Sequence, residues 1–418
     1  MIRAPKVRTD ALGMKKPEIL GRRPLAILGG DALFPEPVYV ARPRVPDTTL
    51  FGGLLARVFN SHWFTNDGPL LKQLEERLRL RLGVEFCAAF CNGTIALQAA
   101  LRSLDLSGEV ITTPFTFPAT VHAIEWNGLT PVFCDVDRET YNLDPARAAE
   151  LVTSRTSAIL PVHVFGEPCD VIGIQRLAAE RGLKVVYDAA HAFGVLYHGK
   201  PIGCWGDLSI LSFHATKLFH TCEGGAVVGP QNAQLRSLAL LRNFGIVDEE
   251  EVRGVGLNGK MSELHAAMGL SLLDLVGQEI EARGRLASRY RAGLSGVEGL
   301  TFQHVAAETT RNYAYQTLEV DAERFGLSRD ELHLALRAEN VITRRYFYPL
   351  CSENESYRHL PSAQPSRLPN AHRLAARILC LPLYGELMPE EVDGIVDCIV
   401  AIKKAGPRVR SALGDSRR

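Results

Sequence analysis

The lysine at position 217 stands in the run Ser212-Phe213-His214-Ala215-Thr216-Lys217, followed by Glu223-Gly224-Gly225. It comes five residues after the last serine of an apolar stretch. A lysine amine attacks a carbonyl only when it is desolvated enough to lose its proton, and a place just beyond a buried strand meets that need. Read alone, the same lysine fits a solvated surface residue, since lysines are seldom buried. A second run, Val185-Val186-Tyr187-Asp188-Ala189-Ala190-His191, delivers an acid at the end of a hydrophobic segment, where ligands of open α/β sheets sit. A carboxylate there could keep a pyridine nitrogen protonated and make the ring an electron sink, or it could cap the next turn. His191, read alone, fits a satisfied core histidine better than a ligand.

Two further segments belong with these. Asn92-Gly93-Thr94 opens a helical pattern, and free N–H groups at a helix start bind phosphate, with Gly permitting close approach; an ordinary cap is the plainer reading. Thr113-Pro114-Phe115-Thr116-Phe117 follows a strand and offers an aromatic that could stack on a flat ring or pack in the core. In chain order the four give a phosphate cradle, a stacking ring, a partner for a ring nitrogen and a lysine. Their coincidence carries more weight than any one of them.

The elements that must position these residues follow from periodicity. Leu70, Leu71, Leu74, Leu78 and Leu82 predict an amphipathic helix over 67–82, ending at Gly83. Asn92 caps the next helix. Strands are expected at 109–112, 131–136, 157–164, 183–187, 207–212 and 225–229, several of them apolar throughout, as in a sheet covered on both faces. Asp144-Pro145 starts a helix with Pro at its first position. Further helices are expected over about 260–277 and 278–294, after Ser328, where Ser328 and Glu331 form a capping box, and from Pro389 through Val400. Strands with polar breaks are expected at 315–320 and 341–347. The fold class is therefore α/β, with a loose leader over 1–24, a large domain over 25–280, a smaller C-terminal α+β domain over 281–405 and a solvated basic tail over 406–418.

Composition limits the partners. The 418 residues carry 47 Lys+Arg against 47 Asp+Glu, so no net charge calls for nucleic acid or an acidic membrane. No apolar run approaches the roughly 20 residues of a spanning helix. Nine scattered cysteines without a C-x-x-C pair read as reduced thiols of a cytoplasmic protein, with Cys87 and Cys91 in the core. Gly254-Val255-Gly256-Leu257-Asn258-Gly259 matches G-x-G-x-x-G by letter but follows no convincing strand. The spacing of His214, His220 and Cys222 fits no common zinc pattern, so no metal is expected.

Taken together, the chain resembles the DegT/StrS-type sugar aminotransferases, pyridoxal-phosphate (PLP) enzymes of fold type I, from about Leu25 to Ala401. The matching phrases include Thr65-Asn66-Asp67-Gly68-Pro69, Asn92-Gly93-Thr94, Thr116-Phe117, Pro161-Val162-His163-Val164-Phe165-Gly166, Asp188-Ala189-Ala190-His191, Ser212 to Lys217, Glu223-Gly224-Gly225, Asn258-Gly259-Lys260-Met261-Ser262-Glu263 and Arg345-Tyr346-Phe347. The resemblance implies a mixed, mostly parallel sheet covered by helices, and PLP carried on Lys217 with Asp188 on the ring nitrogen. It implies His191 at the phenolic oxygen, Phe117 against the ring, and Gly93, Thr94 and Ser212 at the phosphate. Asn258 would reach the phosphate of a partner subunit in a homodimer with shared sites. Lys260 stands where many members have Arg; with Arg344 and Tyr346 it is a candidate for the substrate. Histidine in place of the lysine marks a sugar-dehydrating branch, which Lys217 argues against. The implied reaction moves the amino group of L-glutamate to C4 of a nucleotide-linked 4-keto-6-deoxy sugar. Alternatives are C3 amination, an aminocyclitol (keto-inositol) substrate, dehydration, or a non-catalytic PLP-binding regulator.

Overall fold

The computed structural model describes residues 23–415. Seven strands form the central sheet: β1 (Phe86–Phe90), β2 (Glu109–Thr112), β3 (Thr130–Phe133), β4 (Thr156–Leu160), β5 (Lys184–Asp188), β6 (Leu208–Ser212) and β7 (Gly225–Gly229). Their order is β1-β7-β6-β5-β4-β2-β3. All pairings are parallel except those of β7, which runs antiparallel to both β1 and β6. The sheet is thus mixed and mostly parallel, as the apolar runs require. The expected strands 131–136 and 157–164 stop early, at Phe133 and Leu160, and β1 was not foreseen.

Alternation along the strands sorts side chains between two cores. Val185, Tyr187 and Leu211 join the helix Pro69–Leu82 on one face. Val186, Leu208 and Ile210 join the helix Gly93–Arg102 on the other. With a side-chain period of two, Asp188 and Ser212 fall on the second face, the one that carries the start of the helix Gly93–Arg102.

That placement depends on two glycines. A Cβ on Gly225 would lie 2.7 Å from the Gly93 backbone, so β7 can pass the helix start only without a side chain there. A Cβ on Gly68 would lie 2.4 Å from Cδ of Glu263. Glu263, almost fully buried, accepts from the N–H groups of Leu70 and Leu71 at 2.8 Å each, and so closes the first turn of the helix Pro69–Leu82. The Gly68-Pro69 and Met261-Ser262-Glu263 phrases are therefore one structural device.

The long helix Val276–Leu294 leads into a second core around a three-stranded antiparallel sheet of β8 (Leu300–Thr301), β9 (Gln316–Val320) and β10 (Ile378–Leu381). The capping box at Ser328 and Glu331 starts the helix Arg329–Ala338 as expected. The expected strand 341–347 is only Val341–Ile342, paired with Val38–Tyr39. Three sequence expectations are corrected here. Leu25, Phe34 and Val38, placed with the large domain, pack into this second core. Arg23, at the end of the expected loose leader, is held by Glu339 at 2.6 Å and by the Ala32 carbonyl at 2.8 Å, while residues 1–22 lie outside the described part. The basic tail is, over its described part, a helix, Gly406–Asp415. It buries Val409, and its Arg410 donates to Glu331 and to the Gly326 carbonyl. Arginines at its ends masked an apolar anchor.

Candidate active site

Lys217 sits on a loop pinned on both sides. Phe213, buried at the loop's start, donates its N–H to the Gly224 carbonyl and accepts from the Thr221 N–H. The rings of Phe213, Phe219 and Phe193 pack together, Phe193 and Phe219 at 4.8 Å and Phe213 and Phe219 at 5.0 Å. Leu218 and Phe219 are buried beside the lysine, so the loop cannot swing it into solvent without undoing that cluster. The residue keeps a partial opening at its surface, yet its amine is desolvated. Burial pulls its pKa down to about 8, and the Asp188 carboxylate partly offsets the fall.

Asp188, the last residue of β5, is buried. Its Oδ2 accepts from the Thr120 hydroxyl at 2.7 Å and its Oδ1 from the Ala190 N–H at 3.0 Å; Thr120 in turn pairs with Thr116 at 2.8 Å. Burial raises the Asp188 pKa, while these two donors and Lys217 act the other way. Fixed donors hold charge on a carboxylate that has little water around it. His191 is buried and its pKa is pushed well down, by burial first and then by Lys217, so the ring is neutral. Its Nδ1 accepts from the Phe165 N–H at 3.3 Å.

At the other end, Asn92 caps the helix Gly93–Arg102 by accepting from the Ile95 N–H at 2.8 Å. Among the described residues the N–H groups of Gly93 and Thr94 meet no protein acceptor. Ser212 lies against Gly93, where a Cβ would come within 3.1 Å of its own Cβ. The sequence left open which phenylalanine of the Thr113–Phe117 run is core. Phe115 is fully buried, and Phe117, at the start of the helix Pro118–Trp126, is 59% exposed and free to meet a ligand.

The remaining candidates form two groups. Lys260 donates to Asn258 Oδ1 at 2.8 Å and lies 4.6 Å over the Phe244 ring. The Cys91 N–H bonds the Gly259 carbonyl at 2.8 Å, so Asn258 and Lys260 flank the approach to Gly93. Cys91, expected in the core, is only partly buried there. Tyr346 reaches the site through Tyr315: the two rings are 5.8 Å apart, and Tyr315 stands edge-on to His191 at 4.8 Å. Arg344 is exposed, shares a backbone bridge with Cys380, and its charge is felt at the Tyr315 and Tyr346 hydroxyls. Thr120 and Phe165 were not among the sequence candidates. A threonine one turn into a helix gives no sign that it points at an acid 68 residues later.

Residues 51–400 match the model of the DegT/DnrJ/EryC1/StrS aminotransferase family. The chain belongs to this family. It is 43% identical over 364 residues to the dTDP-4-amino-4,6-dideoxy-D-glucose transaminase of Escherichia coli, covering 86% of this chain and 97% of that protein. The enzyme of the same name from Shigella dysenteriae is 41% identical over 368 residues, 88% of this chain and all of that one. Among solved structures, DesI in the presence of its TDP-sugar product superposes with a TM-score of 0.88 at 39% identity, over 94% of this chain and 99% of that one. The family makes the chain a PLP-dependent aminotransferase. Among the described residues there is no group of metal-ligating side chains, and no helix is long and apolar enough to cross a membrane.

The residues present suit the cofactor. A desolvated amine lies within electrostatic reach of a buried carboxylate held by two donors, and helix-start N–H groups lie against a serine on the same side of the sheet. These are the three fixed points that a ring with an aldehyde, a basic nitrogen and a phosphate needs.

Proposed function

We propose that this protein transfers the amino group of L-glutamate to C4 of a dTDP-linked 4-keto-6-deoxy sugar, with PLP on Lys217. The observation that carries the reading is a desolvated Lys217 amine within electrostatic reach of the buried Asp188 carboxylate at the end of β5. The similarity to the transaminases above and to DesI supports the substrate class. When bound, PLP supplies an electron-poor ring that takes up the charge left as a C–H bond on the substrate breaks. Asp188, kept charged by Thr120 and Ala190, holds the ring-nitrogen end. Gly93, Thr94 and Ser212 bind the phosphate, Phe117 covers the ring face, and His191 meets the phenolic oxygen. Lys217 anchors the cofactor through its aldehyde carbon. Its amine, once free, would serve as the proton carrier at the substrate carbon. A placed proton carrier of this kind contributes roughly 10²- to 10⁴-fold.

The partner-subunit role of Asn258 belongs to the same reading. Trp63, Phe64 and Phe244 are all exposed. The Glu263 N–H bonds the Phe64 carbonyl, and Arg242 pairs with Asp67 at 2.8 Å, so these aromatics border one region. Such a surface fits a second copy of the chain. Incubation of the pure protein with PLP, L-glutamate and a panel of keto-sugars, read by mass, tests the assignment. The expected product gains one amino group at C4 of the dTDP-sugar. Amination at C3, amination of a keto-inositol, or loss of water without amine would each reject it.

A further inference from the structure

His191, in the turn that follows β5, is held by more than its neighbours in the chain. The segment Arg311–Tyr315 crosses from the second core and meets it twice. Asn312, buried, donates both Nδ2 protons, one to the His191 carbonyl at 2.8 Å and one to the Phe193 carbonyl at 3.1 Å. Its Oδ1 accepts from the Ala314 N–H at 3.0 Å. Turned over, the amide would set its oxygen against two carbonyls and its NH₂ against an N–H, so these contacts fix its orientation. Gly166, at φ +89°, lies flat against the same point: a Cβ there would be 2.8 Å from both Asn312 Oδ1 and the His191 carbonyl oxygen. Tyr315 stands edge-on to the ring, and the Phe347 ring is parallel to it at 6.1 Å.

The ring's chemistry follows from one more contact. The partner of His191 Nδ1 is the Phe165 backbone N–H. A backbone amide only donates, so Nδ1 carries a lone pair and the single proton of the neutral ring is on Nε2. We propose that Asn312 is a positioning residue which, with the Phe165 amide, holds His191 as an Nε2–H donor for the anionic oxygen of the cofactor ring. This rests on the reading that PLP lies between Lys217 and Asp188. The donor favours the oxyanion, so the proton that this oxygen shares with the Lys217 nitrogen is lost more readily.

Two measurements test the proposal. In cofactor-free protein with ¹⁵N-labelled histidine, His191 is assigned by comparison with His191→Gln, and long-range ¹⁵N–¹H correlations report its tautomer. The wild type is expected to show Nε2–H, and Asn312→Ala a mixture of the two tautomers. A wild-type ring protonated on Nδ1 would overturn the proposal, as would an Asn312→Ala protein with unchanged His191 signals. In the PLP-loaded protein the pH midpoint of the visible band is expected to rise by roughly half a unit or more in Asn312→Ala; an unmoved midpoint overturns the positioning role. Asn312→Ser is the smaller change if the alanine protein does not fold, and a wild-type ring protonated on Nδ1 would overturn the proposal without either variant. If no visible band forms on adding PLP to the wild type, the cofactor reading fails, while the tautomer result still stands on the cofactor-free protein.

Discussion

At the scale of the residue, the Lys217 amine sets the pH behaviour. Its pKa near 8 lies below that of a free lysine, so the neutral, reactive form is well populated just above neutrality. The rate at which PLP is captured, followed by the growth of visible absorption, is expected to climb with pH through about 8 and level off above it. Asp188 favours the charged amine. Asp188→Asn should therefore move that midpoint down, while steady-state turnover falls by 10²-fold or more because the ring-nitrogen end loses its counter-charge. An upward move, or none, would show that the carboxylate is not felt at the amine. Thr120→Val removes a donor that opposes the burial of Asp188. With one donor lost the carboxylate is less well held in its charged form, and kcat is expected to drop about tenfold with KM for the sugar little changed. Little of this was readable beforehand. Lys217, Asp188 and His191 announce themselves by type and by place at strand ends, whereas Thr120 and Asn312 are ordinary residues whose roles come from chain reversals that no local pattern records.

At the scale of the element, the strands and helices around the site were legible where a single physical cause dominates. β5 and β6 are apolar in their interiors (Val185, Val186, Tyr187; Ile210, Leu211) because both faces are covered, and the leucines of the helix Pro69–Leu82 repeat because one face is buried. Strand ends were read too long where a following loop is itself buried, as at Val162 and Val164 beyond β4, since burial rather than pairing keeps those residues apolar. What the pattern could not show is that Glu263, an acid opening its own helix, serves the start of another. Its carboxylate takes two N–H groups of the helix Pro69–Leu82 in a dry setting. Hydrogen bonds to a charged group contribute about 1.5–3 kcal/mol each, so Glu263→Ala should cost about 3 kcal/mol or more. Gly68→Ala should cost a similar amount by pushing the same carboxylate away. Urea unfolding monitored by circular dichroism reads both, and additive losses in the double variant would argue that the two residues do not form one device.

At the scale of the whole molecule, the position of Asn258 raises a question of which copy it serves. Within its own chain it lies beside Cys91 and Lys260, on the exposed approach to Gly93. If it instead completes the phosphate site of a partner subunit, the active unit is a closed two-fold dimer in which each site draws on both chains. Lys217→Ala and Asn258→Ala are each expected to leave the homodimer with little activity. In a mixed dimer, one site receives both lesions and the other receives neither. Random reassociation makes about half of the dimers mixed, with one intact site in two, so activity should return to about a quarter of wild type. If Asn258 serves its own chain, every site in the mixture keeps one lesion and nothing returns. Recovery on mixing, read with the same glutamate and keto-sugar assay, therefore decides between a shared and a self-contained site, and it does so without knowledge of the interface beyond the exposed aromatic border at Trp63, Phe64 and Phe244.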